Sequence, residues 1–258
     1  MPNLTKNKYQ SVNADFHNNY RLEDYLHAYY SERQFVYQGI NALFEARKVL
    51  ELSTGKKNIL LIGVGFGREL DLILKASQAN VTIIDLNSNF LNKIESVYNK
   101  DRVKSIKLNL DEADCLPLAE NTFDLVVALN TIEYVITEEQ TMILLSEISR
   151  VMENNGLFFT RFLNGSSLQG KLINKLMGNR GSNQSRYIAK NYEFFMNSVK
   201  KFFHVKEIST LDFSLNFGPG RYLYSNTFGY PSYVIGKFLG HFVPGGKMPF
   251  YYLLLESR

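Results

Sequence analysis

Two apolar rhythms alternate through the middle of the chain. Short runs at Ile59–Ile62, Val81–Ile84, Val103–Leu108, Phe123–Val127 and Gly156–Leu163 read as strands, and runs this continuous belong to a parallel sheet covered on both faces. Between them apolar residues recur at helical spacing: over Arg68 to Ser77, at Phe90, Leu91, Ile94, Val97 and Tyr98, and at Leu144, Leu145, Ile148, Val151 and Met152. Thr137-Glu-Glu-Gln140 supplies the start of the last of these helices. His204–Phe213 and Phe250–Glu256 are two further strand candidates. Strands alternating with helices predict right-handed crossovers in a doubly wound α/β sheet, with a ligand at the carboxyl ends of the strands. Upstream, Ser31-Glu-Arg-Gln34 resembles a capping box, and apolar residues at 36, 40, 43, 44 and 50 mark an amphipathic helix running into Gly55. With the aromatic stretch Tyr20 to Tyr30, this segment is either a helical cap over the site or a helix packed on the sheet flank.

The first strand runs straight into Gly63, Gly65 and Gly67, and the second ends in Asp85, eighteen residues after Gly67. Glycines there let the backbone turn tightly beneath a ligand, and an acid at the end of the neighbouring strand can accept hydrogen bonds from both hydroxyls of a ribose. The pair predicts a nucleoside-binding crevice. A dinucleotide fingerprint wants glycine at its sixth position, where the helix start meets a pyrophosphate. Arg68 occupies that position, which favours a nucleoside without phosphates.

A third segment, Leu110-Asp-Glu-Ala-Asp-Cys-Leu-Pro117 followed by Phe123-Asp-Leu-Val-Val127 and Asn130-Thr-Ile-Glu-Tyr-Val135, completes an ordered set of motifs. Together they resemble the class I S-adenosylmethionine-dependent methyltransferases, in particular the large group acting on small molecules, over roughly Asn58 to Leu163. The resemblance implies a seven-stranded, mostly parallel sheet whose last strand is antiparallel, and S-adenosylmethionine as cofactor. It implies Gly63, Gly65 and Gly67 under the cofactor, Asp85 on the ribose and Leu86 against the adenine. Glu112 would accept from the adenine amino group, with Asp111 as the alternative if the loop slips by one, and the Ala113 amide would donate to a ring nitrogen. Leu129 and Asn130 would lie near the methionine portion and the transferred methyl. Three positions depart from the family pattern. Leu61 replaces an acid that in many members helps hold the methionine end, and Tyr134 replaces a histidine. Asn154-Asn155-Gly156 replaces a Pro-Gly-Gly turn, which Asn and Gly serve equally well.

Composition narrows the picture further. At 258 residues with 45% hydrophobic content, one domain is expected: a cap over 1–54, a cofactor core over 55–163, a basic insertion over 164–191, and last strands over 192–258 with an aromatic lid at 214–248. A formal charge of +4 is too mild to argue for nucleic acid, and the Asn130-Thr-Ile-Glu133 sequence lacks the prolines of base amino-methylating enzymes. Cys115 is the single cysteine, so no intramolecular disulfide forms, which fits a reducing compartment. Met1 to Gln10 is polar, and no apolar run approaches the roughly 20 residues of a membrane span, so a cytoplasmic location without a transmembrane segment is expected. Asp111, Glu112 and Asp114 cluster, but adenine recognition and a solvated turn account for them, and no metal is expected.

Two insertions sit where a methyltransferase chooses its acceptor. Asn164 to Asn191 carries Lys171, Lys175, Arg180, Arg186 and Lys190 without an acid, and fits an anionic acceptor, a membrane surface or a solvated loop. Ser214 to Met248 is dense in aromatics, including Phe217, Tyr222, Tyr224, Phe228 and Tyr230, and fits a lid over an apolar acceptor or a homodimer contact. Among His17, His27, His204 and His241, His241 and His27 are the better placed as a base, while His204 starts a strand. Glu133 reads as a structural hydrogen-bonding residue. The function these features imply is methyl transfer to a small, fairly hydrophobic acceptor, at oxygen first and at nitrogen or carbon next, with a non-catalytic cofactor-binding scaffold as the other reading.

Overall fold

The computed structural model describes residues 44–65, 67–98, 101–178, 188–210, 248 and 250–258. Its strands are β1 (Asn58–Ile62), β2 (Asn80–Asp85), β3 (Val103–Lys107), β4 (Phe123–Ala128), β5 (Met152–Leu163), β6 (Phe203–Ser209) and β7 (Phe250–Ser257). They form one seven-stranded sheet in the order β3-β2-β1-β4-β5-β7-β6. β1 to β5 pair in parallel, and β7 runs antiparallel between β5 and β6. The helices are α1 over 44–53, α2 (Arg68–Ala76), α3 (Ser88–Val97), α4 (Glu138–Val151), α5 (Leu168–Gly178) and α6 (Tyr192–Phe202), with a short 3₁₀ turn at Ile132–Tyr134.

Side-chain alternation in β1 sorts the helices into layers. Ile59 and Leu61 pack with Val49, Leu52, Leu70, Ile73, Leu91 and Ile94, which places α1, α2 and α3 on one face. Leu60 and Ile62 pack with Leu144, Leu145, Ile148, Phe195 and Val199, which places α4 and α6 on the other. Both faces are buried, so the strands read as unbroken apolar runs.

Strand order reverses between β1, which neighbours β2, and β4, which neighbours β5. A crevice outside the carboxyl ends opens at such a reversal. The glycine turn and Asn130 both lie there.

Several boundaries differ from expectation. Met152, expected on the buried face of the fourth helix, instead opens β5 and is buried there. The expected Asn-Asn-Gly turn survives inside β5 as a register shift between its pairings at Met152 and Leu157, with Asn155 at φ 62. Val97, expected in the buried stripe of α3, is 58% exposed at the helix's last residue, while Phe90, Leu91 and Ile94 are buried. β6 ends at Ser209, and 211–213 lie outside the described residues, as do the capping box at Ser31–Gln34 and the aromatic segment 214–247.

Candidate active site

The turn after β1 is shaped by backbone that only glycine adopts without strain. Gly63 (φ 74), Gly65 (φ 52) and Gly67 (φ 81) all lie in the left-handed region. Gly63 donates its N–H to the Ile84 carbonyl (2.8 Å), which ties the turn to β2. A Cβ at Gly63 would also fall on the Thr131 hydroxyl. Thr131 itself is buried and donates to the Ile62 carbonyl (2.9 Å), so the segment after β4 presses directly on the glycine turn.

Asp85 closes the other wall. Its Oδ2 accepts from the Gly65 N–H (3.1 Å) and its Oδ1 from the Asn87 N–H (2.8 Å). Asn87 is buried and caps α3 by accepting from the Asn89 N–H (2.8 Å), which fixes the backbone that holds the carboxylate. Burial pushes the Asp85 carboxyl above its ordinary value, and the amides of Asn87, Gly65, Leu86 and Val64 oppose that shift. Leu86 follows, half-buried.

The acidic loop is held from below by α4. Thr137 caps that helix by accepting from the Gln140 N–H (3.0 Å), and the buried Gln140 side chain donates to the Leu110 (2.8 Å) and Ala113 (2.6 Å) carbonyls. Glu147 accepts from the Leu116 N–H (2.8 Å), and Arg150 donates to the Leu116 and Leu118 carbonyls. Asp111 is buried, and its carboxylate accepts from the Ile136 N–H (2.7 Å). Its neighbour Glu112 is exposed. The Ala113 N–H, expected to meet a ring nitrogen, donates to the Asn109 carbonyl (3.0 Å) in this conformation.

At the end of β4, Leu129 is buried and Asn130 sits at φ 56, a left-handed conformation that asparagine tolerates better than most residues. Leu61, in place of the family's acid, is buried in the apolar layer with Val64, Leu70 and Leu129. The acid on this side of the sheet comes instead from α1. Glu45 is 2% exposed; its Oε2 accepts from Arg68 Nη2 (2.6 Å), and its Oε1 accepts from Arg161 Nη1 (3.2 Å) and the Tyr252 hydroxyl (2.9 Å). The Arg161 guanidinium lies 4.2 Å from the centre of the Phe250 ring.

Glu133 is fully buried, as a structural residue would be. One of its carboxylate oxygens accepts from the Leu163 N–H (2.8 Å); the other meets no partner among the described residues. Burial raises its carboxyl. Lys190, grouped from sequence with a basic loop, is buried too. Its ammonium donates to the Val135 carbonyl, and desolvation lowers it to about 8 against the pull of Glu133, Asp111 and Glu138.

The structure therefore brings Gly63, Gly65, Gly67 and Asp85 into one hydrogen-bonded unit, and sets Leu129 and Asn130 beside it through Thr131. His204 is exposed on the edge strand β6, opposite Glu256. His17, His27 and His241 lie outside the described residues. Sequence reading missed Glu45, Arg161, Thr131 and Gln140. A polar residue at a core-facing position of an apolar pattern was the available signal for the first two.

Residues 60–160 match the family model described as "Methyltransferase domain". No curated protein shows significant similarity to the chain. Among solved structures, a geranyl diphosphate C-methyltransferase from Streptomyces coelicolor A3(2) is 14% identical, with coverage of 96% of this chain and 97% of that one and a TM-score of 0.61. The N-methyltransferase NodS from Bradyrhizobium japonicum WM9 is 12% identical, covering 97% and 98%, with a TM-score of 0.56. A methyltransferase dependent on S-adenosylmethionine from Archaeoglobus fulgidus is 16% identical, covering 90% and 98%, with a TM-score of 0.60. At these identities the structural likeness establishes a Rossmann-like α/β fold. The family match adds the signature of a methyltransferase domain over residues 60–160 of that fold.

Proposed function

We propose that the protein transfers the methyl group of S-adenosylmethionine to a small, fairly hydrophobic acceptor, most readily at oxygen. The observation that carries the cofactor half is the carboxylate of Asp85, fixed by the Gly65 and Asn87 amides at the mouth of the glycine turn. A carboxylate so held keeps lone pairs for both ribose hydroxyls without rearrangement. Gly63, Gly65 and Gly67 lie under the cofactor, Leu86 packs on the adenine and the exposed Glu112 accepts from its amino group. Asp111, the alternative for that role, is buried and already accepts from the Ile136 N–H, which favours the exposed Glu112. The Ala113 amide reaches the adenine only if its turn onto Asn109 opens. Leu129 and Asn130 border the methionine end.

The cofactor supplies an electrophilic methyl on a sulfonium, and the chain supplies alignment and a dry site for in-line attack by the acceptor's lone pair. The buried floor of Val64 and Leu129 suits that role. A hydroxyl acceptor also needs its proton removed, for which His241 and His27 are the candidates. The aromatic segment 214–248 supports an apolar acceptor and equally a homodimer contact. The chain's single cysteine, Cys115, supports a reducing, cytoplasmic setting, and among the described residues no helix is long and apolar enough to cross a membrane. Nitrogen or carbon transfer is the second reading, since a C- and an N-methyltransferase share the fold.

Incubating the protein with S-adenosylmethionine labelled in its methyl, together with a panel of phenols, carboxylic acids and amines, tests the proposal by mass spectrometry. Label on phenolic oxygen is expected. Label on amines alone sinks the oxygen preference, and cofactor binding without any methylated product favours a scaffold.

A further inference from the structure

Among the described side chains of helix α5, the packed ones share one side. Gly170 is packed so tightly that a Cβ there would strike the Asn164 carbonyl. Ile173 packs against Leu163, Ala189 and Phe250. Asn174 both donates to the Ala189 carbonyl (3.0 Å) and accepts from the Ala189 N–H (2.8 Å). The opposite side, at i, i+3, i+4 and i+7, presents Leu168, Lys171, Leu172 and Lys175. Leu168 is 87% exposed and Leu172 39%, and both lysines are exposed.

One exposed leucine needs no explanation. Two on a single stripe, one turn apart and interleaved with lysines, in a stretch from 164 to 191 without an acid, do. We propose that this face of α5 docks on an anionic lipid surface, with the leucines at the acyl boundary and the lysines on the headgroups. The charge is complementary, and the face is the convex outside of a helix, a shape that a bilayer accepts. Aromatic stacking groups, which an RNA surface would use, are absent from the four residues of the stripe.

The placement has a functional sense. α5 starts just past the carboxyl end of β5, and the segment 188–190 that its Asn174 holds is tied to β5 and to the turn after β4: Lys190 donates its N–H to the Leu163 carbonyl (2.9 Å), and Ile188 donates to the Glu133 carbonyl (2.8 Å). A bilayer held by α5 therefore faces the same edge of the sheet as Leu129 and Asn130, and the acceptor is one that partitions into lipid. That last clause rests on the transfer reading above; the docking does not.

Flotation of the full chain with vesicles tests it. The protein should rise with phosphatidylcholine vesicles containing phosphatidylserine at low salt, and stay down with phosphatidylcholine alone. The Lys171→Gln/Lys175→Gln variant should partition more weakly by about fivefold per lysine. Leu168→Gln/Leu172→Gln should lose about tenfold or more. Both variants should bind S-adenosylhomocysteine like the parent, which shows that they fold. Absent flotation of the parent, parental partitioning of both variants, or retention on RNA or an acidic polypeptide instead of vesicles overturns the proposal. Vesicle binding that persists in a protein unable to bind the cofactor would overturn the transfer reading and leave the docking intact.

Discussion

Asp85 and Gly63 carry most of the weight in the proposed cofactor site. Removing the Asp85 carboxylate costs charge-assisted hydrogen bonds worth roughly 1.5 to 3 kcal/mol, so Asp85→Ala should bind S-adenosylhomocysteine about tenfold to a hundredfold more weakly by calorimetry. Burial raises the carboxyl's pKa in the folded protein, and in the proposed site the ribose hydroxyls would favour its ionised form. Affinity should therefore decline as pH falls through that raised value, by up to about tenfold per pH unit, and Asp85→Asn should flatten the dependence. The same shift makes ionised Asp85 less favourable in the fold than in the unfolded chain. Its contribution to stability thus falls as pH rises from the ordinary 3.8 toward the raised value. At Gly63 a methyl group meets both a left-handed backbone and the Thr131 hydroxyl. Gly63→Ala should lose about 2 to 4 kcal/mol in urea denaturation. Adding Thr131→Ala should recover the steric part and leave the backbone part; no recovery at all would show that Thr131 is not the obstacle.

At the scale of elements, the strands and their order were legible because a parallel sheet buries both faces and writes continuous apolar runs into the sequence. The glycine turn, Asp85 and the antiparallel last strand were legible for the same local reasons, or through family resemblance. What stayed hidden depends on partners distant in sequence. Lys190 looked like one cation of a solvated basic stretch, yet the bridge of Asn164 to Lys190 carries it inside, toward Val135 and Glu133. Gln140 looked like half of a capping box, yet its side chain supports the acidic loop. Burial of Lys190 has a measurable signature. Between its lowered value of about 8 and the unfolded 10.5, the unfolded chain holds a proton that the folded chain does not, so stability should rise with pH across that window. Below it the proton is bound in both states and this dependence stops. Urea titrations of the parent and Lys190→Met at several pH values should differ in slope only there, by about 3 kcal/mol in total at most. Equal slopes would mean that the ammonium is solvated.

For the molecule as a whole, Glu45 is the residue that joins parts the chain keeps far apart. It lies on α1, and its partners Arg68, Arg161 and Tyr252 belong to α2, β5 and β7, at sequence separations of 23, 116 and 207. The carboxylate sits on the side of the sheet that buries Leu61, where much of the family keeps an acid on β1 itself. The charge is thus supplied from the helix before the core, which couples that helix to the start of α2 just past Gly67. A buried ion pair is weak evidence of net stabilisation, but losing one partner strands the other charges and typically costs 3 to 5 kcal/mol. Glu45→Gln keeps the shape and an acceptor for Tyr252 but removes the carboxylate that Arg161 and Arg68 share, while Arg68 keeps its ion pair with Glu69. It should lower stability by roughly that amount, and the midpoint of thermal unfolding by about 10 °C. Because Arg68 follows the glycine turn directly, cofactor affinity should fall in the same variant. Arg68→Met separates the two effects: Arg68 is about one-third exposed and Arg161 is buried, so this change should weaken binding while costing far less stability. Should Glu45→Gln unfold at the parental temperature, the three-way junction would not be what holds α1 to the sheet.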